Sequence, residues 1–587
     1  MSFSLQERAK VPNLALKKKK LMLRKLKKQM QRNDKKRQFR KSHYFYSGKE
    51  IHIMSIITTG TDFQPLLRKA IYYLIIPVSL FAVSVNAQRK PYSVVPSEIA
   101  PVEAPFKWQS FNRPDIPTKT FDIRDFGAKE MDADKTNKCT DAIHKAIDAA
   151  SENGGGRVLI PAGQWLTGPV HLKSNIDLHL EKNAAIFFSE DKEDYLPVVP
   201  QRYEGVEVYN YSPLIYAANV TNVSITGKGT LEGQGQHWLE WATVQPRANA
   251  AKVPLSRRKN FGKGAGKEGM RPNFVVFWKS KNILVEGITL NESPMWNIHL
   301  VYSQNAIVRD ITVNSLDSQN GDGIVVDSSQ DVLLEYNQLS TGDDAIVLKS
   351  GFNEDGLAIN IPTENVVIRN YYAYKVRTGS GGVVFGSETS GGIRNVYVHD
   401  AVFEKCDRGI RFKTARGRGN VIENIFIRDI NMKDITYEAI NINTSYTGSG
   451  VGPSPLVRNI DIRNIRINGV PNAIVMNGLP EKWIENIRLF NIIVTNSGKG
   501  IRLARVKNIT LENIRLQSEE KALIGQDVFE LYLKNIALND NEKGAPVFLD
   551  GEYTGAIVAP QLRKSDIVLG EEVDKDVIME NIPENEW

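Results

Sequence analysis

Asn365-Val-Val-Ile368, Asn395-Val-Tyr-Val398, Asn424-Ile-Phe-Ile427, Asn459-Ile-Asp-Ile462 and Asn486-Ile-Arg-Leu489 repeat one pattern, an asparagine followed by an apolar, a variable and another apolar residue. The slot recurs upstream at Asn175-Ile-Asp-Leu, Asn222-Val-Ser-Ile, Asn282-Ile-Leu-Val, Asn305-Ala-Ile-Val and Asp331-Val-Leu-Leu, and downstream at Asn508-Ile-Thr-Leu and Asn535-Ile-Ala-Leu. Successive copies lie from 22 residues (486 to 508) to 60 residues (222 to 282) apart, so the unit is a short coil with insertions. The period-two alternation after each Asn signals a strand with one buried face. A leucine-rich repeat would need a Leu-x-x-Leu-x-Leu frame, whereas this chain uses Ile and Val. The pattern therefore predicts an all-β fold, a right-handed parallel β-helix over residues 119–587. Asn tolerates the left-handed bend between strands, and its amide can bond the coil above.

Two segments bracket the repeat. Ala142, Ile143, Ala146, Ile147 and Ala150 share one face of a helix predicted over 140–153, with Gly154-Gly-Gly156 after it, a short N-terminal cap for the exposed end of a solenoid. Residues 88–118 read as a linker or N-terminal segment. Residues 233–273 interrupt the repeat with Arg247, Lys252, Arg257, Arg258, Lys259, Lys263, Lys267 and Arg271 against Glu240 and Glu268, and read as a long basic loop, solvated or clamping an anionic substrate.

The net charge of +8 does not describe the repeat. Residues 1–53 carry 17 Lys/Arg against Glu7, Asp34 and Glu50, whereas the 500 residues after Ala87 carry a net −7, which argues against a nucleic-acid partner. Arg68-Lys69, the uncharged run Ala70 to Ala87 and the small-residue ending Val85-Asn-Ala87 read as a signal peptide within 54–87, with an uncleaved anchor as the alternative. Met54 would supply a start of ordinary length, so residues 1–53 read as an over-extended frame. The expected product is secreted or periplasmic, monomeric and not inserted in a membrane. Cys139 and Cys406 make neither a disulfide framework nor a metal cluster and are expected to be buried thiols.

The chemistry is expected in Asn320-Gly-Asp322 and Gly342-Asp343-Asp344. Their carboxylates lie 21 and 22 residues apart, one coil. Stacked coils lie about 4.8 Å apart, which puts Asp322 beside the Asp343-Asp344 pair. Alternately these are two Asp-Gly turns; the shared register favours a site. Both members of the pair can face outward only at a bend, which Gly342 permits. Arg411-Phe-Lys413 places two cations on one face of a strand, a fork for a carboxylate. Between them runs Gly379-Ser380-Gly381 to Glu388.

These residues resemble glycoside hydrolase family 28, the polygalacturonases and rhamnogalacturonan hydrolases, from about Phe121 to about Asn535. The resemblance includes Phe121-Asp-Ile-Arg-Asp-Phe-Gly127, Asn153-Gly-Gly-Gly-Arg-Val-Leu-Ile-Pro161, Arg271-Pro272 and Ser293-Pro-Met-Trp-Asn-Ile-His299. Of the family's four signatures, Asn-x-Asp, Gly-Asp-Asp and Arg-x-Lys are matched, while Gly379-Ser380-Gly381 holds Ser in place of the family's His.

The resemblance implies inverting hydrolysis of α-glycosidic bonds in an acidic plant polysaccharide, pectin, by Asp322, Asp343 and Asp344. It makes Asp344 the acid and gives the attacking water to Asp322 and Asp343. Arg411 and Lys413 would grip a uronate; Asn320, Ser380, Glu388, His299 and Tyr446 would bind substrate, and Trp296 would line the groove. No metal or organic cofactor is implied. A β-helix polysaccharide lyase and a non-catalytic glycan-binding solenoid are the alternative classes.

Overall fold

The computed structural model describes residues 91–92, 94–109, 112–244, 270–446, 450–542 and 544–579. The leader at 1–53, the signal segment at 54–87 and the central part of the basic loop, 245–269, lie outside the described residues. Among the described residues no helix is long and apolar enough to cross a membrane.

The expected parallel β-helix is what forms. One sheet stacks Val170–Leu172, Ile215–Ala218, Val275–Trp278, Ile298–Val301, Ile324–Asp327, Ile346–Lys349, Gly381–Gly386, Arg408–Lys413 and Glu438–Asn443, every neighbouring pair parallel. A second begins with Thr120–Asp122, Gly156–Ile160, Ile176–Leu180 and Thr221–Gly227, and a third with Gly163–Thr167, Ala184–Phe188 and Thr230–Glu232. From Thr363–Tyr374 onward single strands run round a corner and serve two sheets, and Leu456–Asn477 serves all three. Ile298, Ile324, Ile346, Val383, Ile410, Ile440, Ile474 and Ile501 stack in one inward column and are wholly buried. Apolar burial along such columns is the main stabilising term of the solenoid.

The corners are built as the sequence implies. Asn175, Asn222, Asn282, Asn305, Asp331, Asn365, Asn395, Asn424, Asn459, Asn486 and Asn508 all have positive φ, between 54° and 61°. Their side chains form a ladder: Asn222 Nδ2 donates to Asn175 Oδ1 (3.0 Å), Asn282 to Asn222 (2.9 Å) and Asn305 to Asn282 (3.0 Å). Asn365 donates to Asp331 (3.1 Å), and the ladder continues through Asn395, Asn424, Asn459, Asn486 and Asn508. Asn535 is the exception. Its partner is Asn513 (2.6 Å), in a second corner column with Asn464 and Asn491, because both bends of a coil offer the same left-handed slot.

The helix Thr140–Glu152 caps the N-terminal end, with Ala142, Ile143, Ala146, Ile147 and Ala150 as its buried face. Residues 88–118, expected as linker, include a described strap packed on the solenoid. Ile99, Val102, Phe106 and Trp108 cover an outward apolar column of Leu284, Ile307, Leu333, Val367 and Tyr397. Arg309 and Arg369, both bonded to Glu335, also donate to the strap carbonyls of Pro96 and Ala100 (2.8 and 2.7 Å). Sequence periodicity gives no sign of this contact, since the strap has no repeat of its own. Cys139 and Cys406 are buried, and burial pushes both thiols up to about 12.

Asn282→Ala removes two ladder bonds and forces Ala into the left-handed region, so it should cost roughly 2–3 kcal/mol. Asn282→Gly relieves the backbone and should cost less. Urea unfolding of both variants checks the order.

Candidate active site

The acids stand on the turns that feed the first sheet. Asn297 N–H donates to the Asp322 carbonyl (2.8 Å), Gly323 N–H to the Asp344 carbonyl (2.9 Å) and Ala345 N–H to the Gly381 carbonyl (2.9 Å), which locks four consecutive coils. Ile324 pairs with Ile346 and Ile346 with Val383, so counting back puts Asp322, Asp344 and Gly381 in one column and Asp343 and Ser380 in the next. Gly342 is required where the chain turns. A Cβ there would stand 1.8 Å from the Ser318 carbonyl oxygen.

Each carboxylate has a different surrounding. Asp344 is buried and accepts the Gly381 N–H on Oδ1 (3.0 Å) and the Lys413 ammonium on Oδ2 (2.7 Å). Asp343 is partly exposed; its Oδ1 accepts the Asp344 N–H (2.9 Å) and the Ser380 hydroxyl (3.2 Å). Asp322 is buried, with Lys349 Nζ 3.7 Å from its Oδ2. Burial, and then the Asp343 carboxylate, raise Asp322 well above the usual carboxylate range; burial, and then Asp344, also raise Asp343.

Lys349 is the residue the sequence reading missed. Its Nζ donates to Glu388 Oε2 (2.7 Å) and lies 4.8 Å from the centre of the Trp296 ring. Burial works against its charge, but Glu388 and Asp322 outweigh burial and raise its pKa above the ordinary lysine value. The same balance, with Asp344 as the partner, raises Lys413, while Glu388 is lowered because Lys349 outweighs its burial. The available signal was the end of a strand, Ile346–Lys349, where a cation follows the paired aspartates by one strand length.

The expected Arg-x-Lys fork divides. Lys413 belongs to Asp344, whereas Arg411, also buried, donates to the Gly379 carbonyl and has an Nε without a hydrogen-bond partner. Tyr446 stands beside both, its ring centre 5.3 Å from Arg411 and 5.6 Å from Lys413. Asn320 is held by Arg271, whose Nη2 donates to its Oδ1 (2.8 Å) and whose Nη1 donates to the Gln319 carbonyl (2.7 Å). Arg271 is thus a buried support of the Asn320-Gly-Asp322 turn, not a solvated charge of the basic loop. That loop also contains the helix Gly235–Val244, whose Trp238 is buried against Tyr195 and Tyr211.

His299 does not line the groove as expected. It is wholly buried, with Nε2 3.4 Å from Asp327 and Nδ1 3.2 Å from Asn273, and its ring packs against Trp296. The cause is an antiparallel hairpin, Val199–Tyr203 and Val206–Asn210, laid over the outer face of the first sheet, across the strands that follow the acids. Its Tyr203 packs with Met295, Trp296, Val325, Val347 and Val384, and its Arg202 pairs with Asp327 at 2.8 Å. Beyond the acids, in the C-terminal direction, the outward positions are polar: Arg411 is in register with Asn441, and Lys413 with Asn443 and then Asn477.

The sequence profile of Glycosyl hydrolases family 28 matches residues 153–513. The chain is 30% identical over 374 residues to a probable polygalacturonase of Vitis vinifera, covering 62% of this chain and 72% of that protein. It is 28% identical to an exo-poly-alpha-D-galacturonosidase of Dickeya chrysanthemi, covering 56% of this chain and 57% of that protein. Among solved structures, an exopolygalacturonase of Thermotoga maritima superposes with a TM-score of 0.62 at 35% identity, covering 73% of this chain and 93% of that one. The chain belongs to glycosyl hydrolases family 28. It is a glycoside hydrolase built on the family's right-handed parallel β-helix, and neither the lyase nor the silent solenoid is favoured.

Arg202 and Asp327 are both fully buried, so Arg202→Met strands a carboxylate and should cost roughly 3–5 kcal/mol at neutral pH. Burial opposes the Asp327 charge, but Arg202 outweighs it and lowers the pKa, so the pair's stability is present above the unfolded value near 3.9 and lost as pH falls through the folded value. The difference between variant and wild type should therefore shrink in acid. Unfolding curves at pH 7 and at about pH 3, below the unfolded value, check both the size and the trend.

Proposed function

We propose that this chain hydrolyses the galacturonic-acid backbone of pectin from a chain end, inverting the anomeric centre. The substrate class rests on the polygalacturonases to which the chain is similar. The observation that carries the chemistry is the contrast between Asp344, tied to an ammonium and a backbone N–H, and Asp343, bonded only to neutral donors.

Four carboxylates, Asp322, Asp343, Asp344 and Glu388, are met by two ammonium groups, Lys349 and Lys413. A cluster with such an excess of negative charge retains a proton. Asp344 is buried and spends both oxygens on Gly381 and Lys413, so the acid role that the sequence suggested for Asp344 is assigned here to Asp343, the more exposed carboxyl of the pair. Asp343 protonates the leaving glycosidic oxygen. Asp344 and Asp322 hold the water on the opposite ring face and take up its proton as it adds to the anomeric carbon. Ser380 keeps Asp343 oriented where the family's signature has His. The free Nε of Arg411 is the donor offered to a substrate carboxylate, and a guanidinium answers that planar anion better than an ammonium.

Attack from a chain end is supported by the hairpin at Val199–Asn210, which covers the outer face from Trp296 to Val384, ahead of the polar outward positions that begin at Arg411. The exo-acting relatives from Thermotoga maritima and Dickeya chrysanthemi agree with this mode. Export to the medium or periplasm follows from the signal pattern at 54–87 and from a polymeric substrate that must be met outside the cytoplasm.

Asp343→Asn keeps shape but donates no proton, so kcat on polygalacturonate should fall roughly 10²–10⁴-fold. A substrate with an activated leaving group should recover much of that loss in Asp343→Asn and little in Asp322→Asn or Asp344→Asn. Rescue confined to Asp344→Asn would return the acid role to Asp344. Proton NMR of fresh product should show the inverted anomer, and chromatography should show a single short product from the first turnover onward.

A further inference from the structure

The acid cluster leaves one choice open. Burial, with Asp343 beside it, raises Asp322, and burial, with Asp344 beside it, raises Asp343, so Asp322 needs a cation at hand if it is to take up the proton of the water. Neutral contacts do not decide the matter. Lys413 is committed to Asp344, and Arg202 and His299 are committed to Asp327 at the far end of the strand that follows Asp322. Among the described residues, Lys349 is the basic group within 4.0 Å of Asp322.

We propose that Lys349 is a positioning residue that draws the Asp322 carboxyl toward its ionised, base form against the effect of its burial. The ammonium is fixed on three sides by residues from three different coils: Glu388 at 2.7 Å, Asp322 at 3.7 Å and the Trp296 ring at 4.8 Å. Lys349 ends the strand Ile346–Lys349 in register with Asp327, so its backbone is held by the sheet and its side chain is buried. Glu388 is the counterweight. It takes the shorter contact, which keeps the ammonium from closing on Asp322 and tunes how strongly that carboxyl is pulled toward ionisation.

The charged groups that bear on the pair are few and named. Asp322 is faced by Asp343, Lys349, Asp344 and Lys413, and Lys349 by Glu388, Asp322 and Asp344. Lys349 is also felt by Asp327 and His299, and Glu388 by Lys413 and Arg418. Removing a cation beside Asp322 disfavours its charged form; removing Glu388 removes a competing anion and favours it.

The proposal rests on the hydrolase reading where it uses a pH profile, and two kinds of measurement keep the two apart. For kcat on galacturonan oligomers, the acid limb should move up by about one pH unit or more in Lys349→Met and down in Glu388→Gln. Lys349→Arg should return it toward the wild-type position, with KM changed by no more than about twofold in the two Lys349 variants. Lys349→Met strands Glu388, so Lys349→Met/Glu388→Gln is the companion that leaves no buried charge unpaired; its limb should still move up, because the lost cation is the nearer group. Difference infrared titration of the Asp322 carboxyl, against an Asp322→Asn reference, should show the same displacements without any substrate. An unmoved limb and unmoved infrared midpoint with a lowered Tm, or shifts of the same sign in Lys349→Met and Glu388→Gln, would overturn the positioning role. A wild-type chain inert toward galacturonan would sink the hydrolase reading, and the infrared shifts would still decide for or against Lys349.

Discussion

The structure depends on the left-handed corner at each asparagine. That bend returns the chain to the start of the same sheet with each coil, and the amide that occupies it bonds its counterpart in the next coil, so shape and register come from one side chain. Residues with a similar place in successive coils therefore stand about 4.8 Å apart whatever the length of the insertion between them. Asp331 fills the slot at one coil because its short oxygen-bearing side chain tolerates the same backbone and accepts from Asn365.

The acid cluster is a consequence of that register. Asp322 and Asp344 come from neighbouring coils and share a column, and Gly381 in the next coil supplies the N–H that meets Asp344. Burying several carboxylates is unfavourable unless cations accompany them, and the solenoid supplies those from the same sheet: Lys349 at the end of one strand and Lys413 at the end of another. The pairing also differentiates the acids. Three aspartates of one residue type acquire different partners: a lysine sits on one, a lysine lies near the second, and hydroxyl and amide donors meet the third.

Outside the coils, two added segments use outward faces that a bare solenoid would leave to solvent. The strap covers an apolar column on the second sheet, and the hairpin covers Val325, Val347 and Val384 on the first. The hairpin has the greater consequence for the site, since it seals His299 and Asp327 beneath it, ahead of the polar outward positions that begin at Arg411. A buried Arg202 at its centre ties this cover to the sheet.

Local pattern determined the repeat, the capping helix and the grouping of Asp322, Asp343 and Asp344, because alternation, left-handed asparagines and one-coil spacing are properties of residues near in sequence. It did not determine which contacts those residues make. Lys349 and Glu388 are separated by 39 residues and meet through a side-chain bond between coils, and Lys413 reaches Asp344 across 69 residues, so the division of the expected cationic fork was invisible in Arg411-Phe-Lys413 itself. His299 was read as a groove residue from the family resemblance of Ser293-Pro-Met-Trp-Asn-Ile-His299; its burial was decided by a hairpin with no repeat signature. Burial and charge pairing are sums over many coils, and they set the protonation of each acid where the linear spacing of carboxylates could not.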